Sequence, residues 1–243
     1  MTAGVTLRGV GKTFAAGIEA VAPTDLTIAP GSFVSLVGPS GCGKSTLLRM
    51  IAGLAAPTIG TVERTDDAVG FVFQSPTLMP WATALANCAL PLRLAGNADD
   101  ARATEALKRV GLGGFESVYP HALSGGMQMR VSIARAIVTA PRLLLMDEPF
   151  AALDEITRFR LNDDLLALWQ QNRWTVVFVT HSIREAVFLS ERVVVLAPRP
   201  GRIVADVKID LPSIRAPAMR LSHAFTDQCA RVNAALSAGE DAA

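Results

Sequence analysis

The chain is poor in cysteine, poor in aromatics and without an excess of either charge. It holds three cysteines, one tyrosine, and 23 Lys and Arg against 22 Asp and Glu in 243 residues. Cys42, Cys88 and Cys229 are odd in number and far apart, which argues against a disulfide framework and fits a reducing compartment. A formal net charge of +1 supplies no global positive field to collect nucleic acid or an acidic bilayer, so a dedicated nucleic-acid binder is not expected. Charged residues are only 19% of the chain and hydrophobic ones 50%, which excludes a disordered polymer and points to one large domain, or one with an inserted subdomain. Met1 to Val10 shows no basic segment followed by an apolar one, so no secretory leader is expected and the chain reads as cytosolic.

The stretch from Ala68 to Leu92 has no charged side chain, and the mean hydropathy is +0.34. A membrane span is rejected there because Gln74 and Asn87 are polar and because Pro76, Pro80 and Pro91 would break the helical hydrogen bonding that hydrocarbon demands. A soluble protein that exposes an apolar, charge-free segment often has a partner for it.

Short β-prone runs at Val5 to Phe14, Thr24 to Ile28 and Ser32 to Val37 are followed by a helix over Lys44 to Leu54, ended by Ala55-Ala56-Pro57. Gly60 to Gln74 reads as a hairpin leading into a strand at Val69 to Phe73. A helix is expected over Ala98 to Val110, inside a helical insertion at about 75 to 120. Beyond it, helix Gly126 to Val138, strand Arg142 to Met146, amphipathic helix Ile156 to Gln171 and strand Thr175 to Thr180 alternate as a parallel α/β core does. Ser182 with Glu185 forms a capping box opening Ile183 to Leu189. Strand Arg192 to Leu196, a turn at Pro198 to Gly201 and a C-terminal helix with a frayed tail, Ala238 to Ala243, complete the chain.

Gly38-Pro39-Ser40-Gly41-Cys42-Gly43-Lys44-Ser45 fits G-x-x-x-x-G-K-[ST] and lies between an apolar strand and a helix start. Glycines let backbone N–H groups face phosphate oxygens at the positive end of a helix; Lys44 reaches the β- and γ-phosphates and the Ser45 hydroxyl ligates Mg²⁺. Cys42 is a small loop residue there, not a nucleophile. Leu143-Leu144-Leu145-Met146-Asp147-Glu148 is an apolar strand ending in two acids. Asp147 is directed to Mg²⁺, and Glu148 is the candidate for polarising the attacking water. Leu123-Ser124-Gly125-Gly126-Met127 opens a helix and makes a second anion site, which one nucleotide cannot use within one subunit. A twofold head-to-tail pair resolves this, each subunit's Ser124 closing over the phosphate held by the other's Lys44.

On these residues the chain, from about Val5 to Arg202, resembles the nucleotide-binding subunit of ATP-binding cassette transporters. The resemblance implies an α/β fold: a P-loop NTPase, RecA-like core with an N-terminal antiparallel β-subdomain and an inserted α-helical subdomain. Residues 1-74 and 125-210 would form the core with its β-subdomain, about 75-124 the helical subdomain, and about 211-243 a C-terminal helix and tail. In the family's terms Gly38 to Thr46 resembles the Walker A loop, Ser124, Gly125 and Gly126 the signature that acts in trans, Asp147 and Glu148 the Walker B acids, and Asp154 the D-loop. Gln74 resembles the Q-loop glutamine, a ligand of Mg²⁺ or an orienter of water that links the γ-phosphate to domain rotation. His181 resembles the switch histidine at the γ-phosphate or attacking water, and Phe14 the aromatic that stacks on adenine. His121 and His223 are left to structural roles.

The activity implied is ATP hydrolysis with Mg²⁺, in a dimer of two copies under membrane permease subunits on the cytoplasmic face of the membrane, with a periplasmic or extracellular solute-binding protein as an indirect partner. Phe73 to Trp81 and Arg199-Pro200-Gly201-Arg202-Ile203 resemble importers for nitrate, sulfonates and taurine, and pyrimidine-precursor importers share these patterns. An export energiser or a soluble cassette ATPase stays as the alternative. Met79, Pro80 and Trp81 are expected to line a groove for a helix of the membrane subunit; Trp81 as a core residue of the helical subdomain is the other reading. Two departures stand out. Met129 replaces a glutamine, weakening a polar contact expected at the dimer seam, and Gly60 to Val69 is short. No regulatory domain is expected after Arg202.

Overall fold

Valine and leucine runs too apolar for a half-exposed sheet settle as strands buried on both faces, the mark of parallel pairing. In the computed structural model, which describes residues 4–65, 68–198 and 200–241, the elements in chain order are β1 (Val5–Thr13), β2 (Glu19–Ile28), β3 (Phe33–Val37), α1 (Lys44–Ala52), β4 (Ile59–Arg64), β5 (Val69–Val72), α2 (Ala84–Leu94), α3 (Asp100–Arg109), α4 (Gly125–Ile137), β6 (Leu143–Asp147), α5 (Glu155–Asn172), β7 (Thr175–Thr180), α6 (Ile183–Leu189), β8 (Arg192–Ala197), β9 (Arg202–Lys208) and α7 (His223–Asp241). Arg199 of the expected importer motif and residues 242–243 of the expected tail lie outside the described residues.

Two compact units result, one formed by the chain up to position 67 with the chain from Arg173 onward, the other by Ala68–Asn172. The first contains an antiparallel sheet of order β2-β1-β4 and the run β7-β3-β8-β9. In that run β3 pairs in parallel with β7 and β8, while β9 is antiparallel to β8. Every residue of β3 and β7 is buried, and Phe33 and Phe178 meet with ring centroids 6.0 Å apart. The second unit holds the parallel pair β5-β6 and four helices. Thr83, Asp99 and Ser124 cap α2, α3 and α4 by accepting backbone N–H bonds.

The mixed α/β architecture agrees with the sequence, as do β7 and α6 residue by residue. Several boundaries do not. Helix α1 ends at Ala52 because Gly53 takes φ 77° and its N–H caps Arg49 and Met50, a left-handed stop that glycine supplies cheaply. Gly60 to Gln74 is no hairpin: β4 pairs with β1 and β5 with β6. Strand β2 starts five residues earlier than expected, at Glu19 rather than Thr24. Helix α2 was hidden by Pro91, which it contains; in the last turn a proline forfeits one hydrogen bond without ending the helix. At 11 residues α2 is still no span, and among the described residues no helix is long and apolar enough to cross a membrane. Strand β9 was also missed, and α7 runs on through 238–241 where fraying was expected.

Candidate functional site

The loop after β3 is shaped by close backbone contacts within the first unit. Gly41 and Gly43 take φ of 80° and 86°, and alternating left- and right-handed residues turn successive N–H groups into one concavity suited to anions. A Cβ at Gly38 would lie 2.4 Å from the Leu196 carbonyl oxygen and 2.7 Å from Cys42 Sγ. Lys44 is buried at 4% exposure, and its Nζ donates to the carbonyl oxygens of Gly38 and Pro39 at 2.7 and 2.9 Å. Cys42 is buried as well, and burial raises its thiol pKa despite the nearby Lys44 charge; it fills space, as the sequence indicated. Pro39, Ser45 and Thr46 are partly exposed and Ser40 is exposed. Phe14 is 48% exposed, with Lys12 Nζ 5.5 Å from its ring centroid.

His181 follows β7 and is exposed. Its two neighbours are fixed: Thr180 Oγ1 donates to Glu185 Oε2 at 2.5 Å and accepts from the Ser182 N–H at 3.0 Å. Ser182 Oγ accepts from the Glu185 N–H. Only half of the expected capping box forms, because Thr180 takes the place of the Ser182 N–H as partner of the Glu185 carboxylate. His121 stacks on Tyr119, and His223 opens α7.

In the second unit, Asp147 ends β6 and is 5% exposed. Glu148 has φ 45°, a backbone that costs a non-glycine residue on the order of 1–3 kcal/mol and gathers at functional sites. Gln74 is exposed just past β5. Ser124 is exposed at the start of α4, and its Oγ accepts from the Met127 N–H at 3.3 Å. A Cβ at Gly126 would come within 2.7 Å of Thr157 Cγ2, while Gly125 is more open. Asp154 caps α5, its Oδ1 accepting from the Thr157 N–H at 2.9 Å; that bond first, from backbone and side chain together, lowers its pKa. Met129 is 2% exposed, so it packs in the interior and does not meet a seam. Trp81 is 76% exposed, which removes the core reading.

Three comparisons identify the scaffold. A family profile described as ABC transporter matches residues 21–151. An uncharacterized ABC transporter ATP-binding protein of Methanocaldococcus jannaschii is 52% identical over 204 residues, 80% of this chain and 76% of that protein. The chain belongs to the ABC transporter family. This ABC ATP-binding subunit is also 44% identical, over 88% of its length and 74% of the relative's, to an aliphatic sulfonates import ATP-binding protein of Xanthomonas axonopodis pv. citri. The dimeric structure of the ABC transporter cassette MJ0796 covers 86% of the chain and 100% of that cassette at TM-score 0.75 and 38% identity. The same cassette is also known as a dimer in a post-hydrolysis state bound to ADP and Pi, at the same score. The ABC subunit is accordingly a P-loop ATPase.

Two contributors to the ABC subunit's site were not visible in sequence. Gly201, expected as a turn residue and as part of the importer-like pattern, is bonded to Ala20 and Ala22, and a Cβ on it would fall 2.2 Å from the Cys42 carbonyl oxygen. It is the floor of the phosphate loop. Asn87, 0% exposed, accepts from the Met79 N–H and donates to the carbonyls of Met79, Ala82 and Thr83, which fixes the backbone beneath Trp81.

Proposed function

We propose that this subunit hydrolyses ATP to ADP and phosphate as one of two copies paired head to tail, and drives import of a small anionic solute of the nitrate, sulfonate or taurine class through membrane permease subunits. The observation that carries the coupling is Trp81, left 76% exposed on a backbone pinned by Asn87 inside a charge-free stretch. A fixed, exposed tryptophan is the residue of an interface, not of a solvated surface. The anionic solute class is supported by relatives named for aliphatic sulfonate import, at 44–46% identity. A solute-binding protein outside the membrane would deliver the solute to the permease, and the subunit itself would sit on the cytoplasmic face.

The residues divide the chemistry. The loop Gly38 to Thr46 holds the phosphates, with Lys44 leaving its two loop carbonyls for phosphate oxygens and Phe14 stacking on the adenine. Ser45, Asp147 and Gln74 offer the hard oxygen donors that suit Mg²⁺ beside phosphate. Held there, Mg²⁺ would supply positive charge against that developing on the transferring phosphoryl group. Glu148 orients and polarises the attacking water, and His181 stabilises the charge that gathers on the γ-phosphate oxygens. Ser124, Gly125 and Gly126 of the second copy would present a helix N-terminus to the same phosphate, with Asp154 beside them.

Trp81→Glu tests the coupling. With the permease in vesicles, the variant is expected to keep its fold and ATP affinity and to lose uptake of a sulfonate such as taurine. Wild-type uptake by this variant, or hydrolysis indifferent to the permease in the unaltered protein, would overturn the proposal.

A further inference from the structure

Arg135 lies near the end of α4, the helix that Ser124 opens. Its guanidinium donates three times into the segment just after Gln74: Nη2 to the Pro76 carbonyl at 2.7 Å and to Thr77 Oγ1 at 2.9 Å, and Nη1 to the Thr77 carbonyl at 2.9 Å. Thr77 is held at φ 47°, a left-handed backbone that a threonine keeps only when its surroundings impose it. The far end of the same segment is fixed by Asn87 of α2 at Met79, Ala82 and Thr83. The planar fork of Arg135 is what allows one residue to grip two successive peptide units; an ammonium on a flexible stem cannot.

We propose that Arg135 is the positioning residue for Gln74, locking Pro76 and Thr77 onto the helix that begins at Ser124 so that the Gln74 segment and that helix move as one body. A displacement at Trp81 or Ser124 is thereby delivered to Gln74 through three hydrogen bonds. The proposal rests on the assignment of Gln74 to the hydrolytic site.

The test is a double-mutant cycle on the purified full chain, with Arg135→Lys and Gln74→Ala made singly and together, reading kcat for ATP hydrolysis and the Kd for Mg·ATP. Arg135→Lys is expected to lower kcat by roughly tenfold or more, the scale of a small misplacement of a catalytic group, with Kd unchanged. In the Gln74→Ala background it should lower kcat no further. If the two losses multiply while Gln74→Ala alone is impaired, the proposal falls and the role of Gln74 stands. If Gln74→Ala alone turns over normally, the assignment of Gln74 falls and takes the proposal with it. Should Arg135→Lys not fold, Thr77→Gly examines the same link from the loop. It relieves the backbone and removes the hydroxyl, so the melting temperature should hold or rise while kcat drops. Normal kcat in that variant would overturn the proposal.

Discussion

Lys44 Nζ lies 2.7 Å from the carbonyl oxygen of Gly38, six residues earlier in the same loop. A second bond, to Pro39, leaves the buried ammonium satisfied by the loop's own backbone. In the proposed site, phosphate binding would therefore be an exchange of partners: the cation would give up neutral carbonyls for charged oxygens, which bind it more strongly.

Removing that cation should weaken nucleotide binding more than it disturbs the fold. Lys44→Ala is expected to raise the Kd for Mg·ATP by about ten- to a hundredfold, equivalent to the ~1.5–3 kcal/mol of hydrogen bonds to a charged group. Titration calorimetry with ATP reads this directly, and an unchanged Kd would remove Lys44 from the phosphate site.

Gly201 gives a prediction about a residue outside the nucleotide-binding motifs. In Gly201→Ala the new Cβ would meet the Cys42 carbonyl at 2.2 Å and that of Ala20 at 2.8 Å. Backbone atoms cannot swing aside, so overpacking should cost about 1–3 kcal/mol of stability and should also weaken ATP binding by moving the loop. Gly113→Ala is the control, since its Cβ would meet only the stem of Lys108 at 3.3 Å. Denaturant midpoints and ATP affinity should fall for the first and hold for the second.

What the sequence revealed and what it hid follow from the range of the interactions. The phosphate loop, the Asp147-Glu148 strand end and the Ser124 cap are contiguous stretches whose pattern needs no distant partner, so each is legible in a linear reading. Helix α2 escaped because Pro91 mimics a stop, and β9, half-exposed along its length, lacks the apolar run that marks β7 and β8. Gly201 and Arg135 act on partners far away in sequence: Arg135 and Thr77 are 58 residues apart. Nothing local to either residue signals its partner. The strain at Glu148 is a property of φ, which residue type alone does not disclose.

Cys88 provides a pH dependence. Burial first, only partly opposed by the Arg135 charge, pushes its thiol from the ordinary 9.0 up to about 12. The folded state therefore binds this proton more tightly than the unfolded one. Its contribution is complete below about pH 9 and is lost as pH rises towards 12, by up to about 1.4 kcal/mol per pH unit. Urea midpoints at about pH 8 and about pH 10.5 should fall more steeply in the unaltered protein than in Cys88→Ala. Equal slopes would contradict the assignment.

The central claim, that Glu148 polarises the attacking water in a site closed by a second copy, is tested most directly by Glu148→Gln. Steady-state hydrolysis and solution mass are measured on the same sample with Mg·ATP. The account predicts wild-type ATP binding, turnover reduced by about a hundredfold or more, as loss of a general base implies, and accumulation of an ATP-bound dimer. Undiminished hydrolysis by a monomeric Glu148→Gln subunit would contradict it.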